Sequence, residues 1–258
     1  MKPNYVNDSL HYKSEGSGET VILIHGFLEN LEMWDGIAVE LLKTHRVIRM
    51  DLPGFGKTAY KEGDSSIKGY AAEIHVLIKQ LKVDSFTIIG HSMGGYIALE
   101  LAKISPEKVN HIILFHSTAS ADSELKKKDR NRAISAVKEK KNIYLKTAIP
   151  FLFSELSLKN CASKIQKMRK DAEDLNPKGI INALRAMQYR TDHNCELNSL
   201  RCKKTYIAGI LDPLLPIQNL KTEAQTNKAD FIEIENAGHM SHWENTSRLI
   251  EVLKKVIA

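Results

Sequence analysis

With 258 residues, 43% hydrophobic and 26% charged, the chain has globular proportions; these exclude disorder as its overall state and allow one sizeable core. A formal net charge of +6 and a pI near 9.0 come with no recognition motif and no basic stripe interleaved with aromatics, so the excess reads as solvated lysine and no nucleic-acid partner is expected. No apolar run is long enough for a bilayer, Met1-Lys2-Pro3-Asn4 has no leader pattern, and Cys161, Cys195 and Cys202 are odd in number without zinc or C-x-x-C spacing; the expectation is a cytoplasmic protein with reduced thiols and no membrane, metal or cofactor partner.

In chain order, the alternating stretch from Val6 to Lys13, closed by Glu15-Gly16-Ser17-Gly18, predicts a hairpin strand at the edge of a sheet. Thr20-Val21-Ile22-Leu23-Ile24 is a continuous β-branched run, the pattern of a strand buried on both faces. His25-Gly26-Phe27 follows at its C-terminal end, the side on which open parallel sheets form their ligand crevice. His25 is a candidate pocket residue, with a loop-bracing ring as the simpler role, and the Gly26 turn frees the Phe27 N–H to face an oxyanion. Met33 to Leu42 has helical periodicity and Arg46 to Met50 reads as a strand; Trp34 belongs either to the pocket floor or to the core. Asp51 opens the Pro/Gly-rich loop 51–58 and is expected to bond its own loop. The string Gly54-x-Gly56-Lys57-Thr58 lacks the four-residue gap between glycines that a phosphate loop needs.

A helix is predicted over Ile67–Leu81, then a strand at Phe86-Thr87-Ile88-Ile89 that runs into Gly90-His91-Ser92-Met93-Gly94-Gly95 and a helix beginning near Tyr96. Gly90 and Gly94 leave room where strand and helix cross, so Ser92 can sit in strained geometry with its hydroxyl lifted above the sheet. The Met93 N–H then lies at a helix N-terminus, a natural oxyanion donor, although a serine simply capping a helix would look similar. Val109 to Phe115 is the next strand; His116 at its end is a pocket candidate or a loop-bonded imidazole. From Thr118 to Leu200 no strong strand signal appears, and the lysine-rich helical periodicity predicts an insertion acting as a lid. Its Phe151-Leu152-Phe153, Leu156, Leu158 and the stripe Ile180, Ile181, Leu184, Met187 are expected to face inward, with Met187 in the pocket wall, while Lys126-Lys127-Lys128, Arg130 and Arg132 form a wet face. The sheet resumes at Lys204–Gly209 and at Phe231–Ile234, placing Asp212 and His239 just past strand ends, before a closing amphipathic helix around Leu249–Ile257.

Taken together, His25-Gly26, Asp51-x-Pro53-Gly54-x-Gly56, the Ser92 elbow, Gly209-x-x-Asp212 and Gly238-His239 resemble the α/β-hydrolase superfamily, in its serine esterase and enol-lactonase branch, over nearly all of the chain outside the insertion. The resemblance implies an α/β fold: a mostly parallel central sheet flanked by helices, with a core of residues 1–117 and 201–258 and a helical lid of residues 118–200. It also implies that Ser92 attacks an acyl carbon, His239 takes its proton, Asp212 holds the imidazole, and the Phe27 and Met93 N–H groups stabilise the oxyanion; the substrate would be a small ester, lactone or thioester. His242 is a rival base, and Asp51 or Glu235 a rival acid. Serine at the elbow disfavours epoxide hydrolases and haloalkane dehalogenases, which place aspartate there. A triad-containing lyase resembling the pyruvate-eliminating enzyme of menaquinone synthesis is a second reading, weakened by Tyr96 where S-x-G-G-R is expected; Arg185 or Arg190 would then read a carboxylate. A ligand receptor of the same fold is a third.

Overall fold

The computed structural model describes residues 4–6, 10–63 and 66–257. Strands β1 (Asn4–Val6), β2 (Leu10–Glu15), β3 (Glu19–Ile24), β4 (His45–Met50), β5 (Phe86–His91), β6 (Val109–Phe115), β7 (Lys203–Gly209) and β8 (Asp230–Ile234) form one sheet in the order β1-β2-β4-β3-β5-β6-β7-β8. β1, β2 and β4 pair antiparallel and all other neighbours are parallel. The strand expected at the edge, β2, is instead second in the sheet with β4 on its inner side; residues 7–9 of the strand predicted from Val6 to Lys13 lie outside the described residues.

Strand alternation explains the layering. In β3, Ile22 and Ile24 pack to one side with Ile48, Ile88 and Ile112, against α2 (Ile67–Gln80) and α3 (Met93–Ile104). Val21 and Leu23 pack to the other with Val47, Ile89 and Ile113, against Ile37 and Leu41 of α1 (Asp35–Leu41) and Leu249 and Leu253 of the C-terminal helix Thr246–Val256. Each such side chain taken wholly out of water contributes about 1.5–3 kcal/mol, so this two-sided core is what holds the strand ends, and the loops they carry, in register.

Between β6 and β7 the chain leaves the sheet for α4 (Glu124–Ala148), α5 (Ala162–Glu173), α6 (Pro177–Gln188) and α7 (Asn194–Ser199). Ser123 and Asn176 cap α4 and α6 through their side-chain oxygens, and Pro177 starts α6 at the position where a missing N–H costs nothing. α4 breaks at Lys140, where φ −148° and ψ 68° leave the helical region. Ile180, Leu184 and Met187 are buried as the periodicity predicts, but Phe151, Leu156 and Leu158 are exposed, and only Phe153 of that group is buried. Helices α8 (Ile217–Thr226), α9 (Ser241–Glu244) and α10 (Thr246–Val256) complete the chain. No described helix is long and apolar enough to cross a membrane.

Candidate active site

The elbow is built by sterics. A Cβ on Gly90 would collide with the Gly94 carbonyl and one on Gly94 with the Ile24 carbonyl, so strand and helix approach more closely than any side chain permits. Ser92 takes the strain of the turn at φ 52° and ψ −114°, a region that costs a non-glycine residue about 1–3 kcal/mol and persists where the surroundings over-determine it. Here they do: the Ser92 N–H donates to the Phe115 carbonyl (2.9 Å), and the Ser92 carbonyl accepts from the Ser117 hydroxyl (2.8 Å) and the Gly95 N–H (2.9 Å).

Asp212 and His239 meet from the loops after β7 and β8. His239 Nδ1 donates to Asp212 Oδ2 at 2.7 Å, and His116 Nδ1 donates to the same oxygen at 2.8 Å, while Oδ1 accepts the Leu214 and Leu215 N–H groups at 2.8 and 3.1 Å. Burial alone would raise the Asp212 pKa, but the charge of His239 and the hydrogen bonds from both imidazoles hold it well below the usual carboxylate range. Burial pushes His116 down to about 4, so it is a neutral ring; its Nε2 faces the Ser241 hydroxyl at 2.7 Å. The backbone of His239 is held from two sides, its N–H donating to the Leu152 carbonyl (3.0 Å) and its carbonyl accepting from His91 Nε2 (2.9 Å).

That last contact reveals a buried pair that the sequence reading passed over. His91 Nε2 faces a carbonyl and Nδ1 faces Glu29 Oε2 at 2.7 Å; neither partner has a proton to give, so both ring nitrogens donate and His91 is an imidazolium. Burial would lower its pKa, but the Glu29 charge and hydrogen bond raise it; burial would likewise raise Glu29, yet His91 brings it down to about 2. Glu29 Oε2 also accepts the Gly26 N–H at 2.6 Å. One carboxylate thus ties the loop after β3 to the elbow, and through His91 to the His239 backbone. The signal was present at Gly26-x-x-Glu29 and in the residue preceding Ser92, positions that look variable in a motif.

Phe27 lies on the cavity wall and Met93 opens α3; among the described residues neither N–H has a protein acceptor. Three pocket candidates are placed elsewhere. His25 is fully buried, its Nδ1 donating to the Gly26 carbonyl (2.7 Å) and its Nε2 accepting the Leu52 N–H (2.9 Å), so it braces two loops. Trp34 is fully buried in the core beside Phe115, on the α1 and α10 side of the sheet. His116 stands behind Asp212 and does not face the cavity. Met187 does line it. The rivals are occupied or away from the cavity: Asp51 accepts the Leu31 and Lys57 N–H groups, Glu235 is exposed, and the buried His242 does not line the cavity; among the described residues neither of its nitrogens has a hydrogen bond, and Nε2 lies 3.5 Å from Glu29 Oε1.

Ser92 and His239 open onto a cavity of about 380 Å³, within the range for small-molecule sites. Its walls are Phe27, Tyr96, Leu152, Leu184, Met187 and Leu214, together with Lys126 and Arg130 of α4. Lys126 and Arg130 therefore turn inward from a helix face expected to be wet. Arg185 is exposed, and Arg190 is committed to Asp122 (2.5 Å) while its guanidinium stacks 4.0 Å above the Tyr96 ring.

A mostly parallel sheet with a strained serine at one strand end and a buried Asp–His pair beside it defines a protein of α/β-hydrolase type, and the chain belongs to the alpha/beta hydrolase fold family, whose model matches residues 19–246. It is 24% identical over 253 residues to the pimeloyl-[acyl-carrier protein] methyl ester esterase of Legionella pneumophila, covering 96% of this chain and 99% of that one. An uncharacterized protein of Mycobacterium tuberculosis is 35% identical over 103 residues, 40% of this chain, and this stretch spans 30% of the relative's length. Among solved structures, a thermophilic esterase from Thermogutta terrifontis, with malate bound, superposes with a TM-score of 0.90 at 28% identity, covering 96% of this chain and 92% of that one.

Proposed function

We propose that the chain is a serine hydrolase of small carboxylic esters, lactones or thioesters that works through an acyl-enzyme. Ser92 Oγ attacks the acyl carbon as His239 Nε2 takes its proton, and the Phe27 and Met93 N–H groups receive the oxyanion, one such donor being worth about 3 kcal/mol of transition-state stabilisation. Collapse expels the alcohol or thiol, protonated by His239; water activated by the same imidazole then releases the acid and restores Ser92. The observation that carries this reading is the 2.7 Å contact between His239 Nδ1 and Asp212 Oδ2. It fixes the tautomer whose Nε2 accepts a proton, in a ring that shares a cavity with Ser92. The helices of residues 118–200 serve as the lid, supplying the Leu184 and Met187 wall that keeps water from the acyl carbon. The esterases of Legionella and Thermogutta support the same class of chemistry. The arginines that the lyase reading called on do not line the cavity: Arg185 is exposed, and Arg190 pairs with Asp122 and stacks on Tyr96.

The test is an assay of wild type and Ser92→Ala against short and medium acyl esters, lactones and acyl thioesters. Turnover of part of this panel, abolished in Ser92→Ala, is the expected result. A wild type that turns over none of them while a fluorophosphonate still labels Ser92 would move the lyase and receptor readings ahead.

A further inference from the structure

The lysine and the arginine that line the cavity both come from α4. Lys126, Asp129, Arg130 and Ala133 reach it from one stripe of α4, at the i, i+3, i+4, i+7 spacing that stacks side chains on one helix face. Lys126 Nζ donates to the Leu214 carbonyl at 2.9 Å, a neutral acceptor, and forms no ion pair among the described residues. Arg130 Nε is bonded to Asp122 Oδ2 at 3.1 Å, but Asp122 is shared with Arg190, and Asp129 is engaged by Arg132 at 2.6 Å. This wall therefore holds more cationic than anionic side chains. Burial and the neighbouring Arg130 lower the Lys126 pKa, outweighing the charges of Asp122 and Asp212. Beyond the break at Lys140, Tyr144 adds a hydroxyl with no protein hydrogen bond among the described residues, and burial raises its pKa, keeping it a donor.

The rest of the lining includes the apolar side chains Phe27, Leu184, Met187 and Leu214, beside Tyr96 and Glu29. We infer that Lys126, Arg130 and Tyr144 form a carboxylate subsite, and that the preferred substrate is an ester carrying a second, free carboxylate, such as a dicarboxylic half-ester. The inference rests on the hydrolase reading above and narrows its substrate class. A carboxylate here accepts from an ammonium, a guanidinium and a phenol, three donors whose own partners leave them short of negative charge. The reactive carbonyl then lies at Ser92 and the methylene chain along the apolar wall.

The experiment compares kcat/KM for monomethyl succinate, glutarate and adipate, and for 3-acetoxypropanoate, with uncharged esters of equal length. It is run in wild type, Lys126→Met, Arg130→Gln, Tyr144→Phe and, as a surface control, Arg185→Gln. The expected result is a charged-to-neutral ratio above ten for at least one half-ester, falling at least tenfold in Lys126→Met or Arg130→Gln, holding in Arg185→Gln, and shrinking as salt is raised. Turnover of the neutral esters with a ratio near one, or a ratio insensitive to all three subsite variants, would overturn the subsite and leave the hydrolase standing. No turnover of any ester by wild type would remove the subsite, and the lactones and acyl thioesters of the panel above would then decide the hydrolase reading.

Discussion

Replacing Asp212 by Asn tests the site's proton arrangement because four donors converge on that carboxylate. Oδ1 accepts two backbone N–H groups, from Leu214 and Leu215, which cannot change their protonation. An asparagine must therefore turn its amide oxygen to the backbone and its NH₂ toward His239 and His116, whose Nδ1 atoms sit 2.7 and 2.8 Å from Oδ2. Both rings then give up their Nδ1 protons and carry them on Nε2 instead. His116 tolerates this, since the Ser241 hydroxyl can accept as well as donate. His239 does not, because an Nε2–H cannot take the Ser92 proton. A triad locked in the wrong tautomer loses about 10⁴ in kcat, roughly 5 kcal/mol of barrier at 1.36 kcal/mol per decade. The assay is steady-state hydrolysis of an activated short-chain ester, with thermal unfolding as the control for the fold. Asp212→Asn retaining a tenth or more of the wild-type kcat would refute the reasoning and move the acid elsewhere.

Other outcomes follow from the same geometry. Gly94→Ala, whose Cβ meets the Ile24 and His25 carbonyls, should displace the elbow and lower kcat by about 100-fold or more, the scale of a 1 Å misplacement of a reacting group; circular dichroism and kinetics separate this from unfolding. Trp34→Ala should cost about 3–5 kcal/mol in urea unfolding, as for other buried aromatics, while KM of the folded fraction stays unchanged; a raised KM would return Trp34 to the pocket. Glu29, with a folded-state pKa lowered to about 2 from 4.5, contributes stability that is fully present above pH 4.5 and lost as pH falls toward 2. The gap in urea midpoint between wild type and Glu29→Gln should therefore narrow across that interval, and a gap constant from pH 6 to pH 2.5 would contradict the buried ion pair.

Legibility from sequence followed the length scale of the physics. β3, β5 and β6 were readable because burial on both faces leaves unbroken apolar runs, and Gly90 and Gly94 were readable because close approach of backbones admits no other residue. Asp212 and His239 could be placed at strand ends, since a parallel sheet sends such loops to one rim. What failed depends on side-chain direction across elements distant in sequence. His116 ends a strand as a pocket residue would, yet its ring turns behind Asp212, 96 residues on. Lys126 sits in a lysine run that looks like solvent-facing surface, and only the docking of α4 beside Leu214 brings it inside. Glu29 and His91 are 62 residues apart, and no local pattern announces their pairing. The edge reading of β2 failed because a short β1 covers its outer side.

The most direct test of the central claim is to trap the acyl-enzyme. Wild type mixed with an activated ester, quenched in acid within milliseconds and analysed by intact mass and peptide mapping, should carry one acyl group on the peptide containing Ser92, at a level that rises in a burst and falls as substrate is exhausted. Turnover at full rate with no adduct on Ser92, or turnover that survives in Ser92→Ala, would contradict the account.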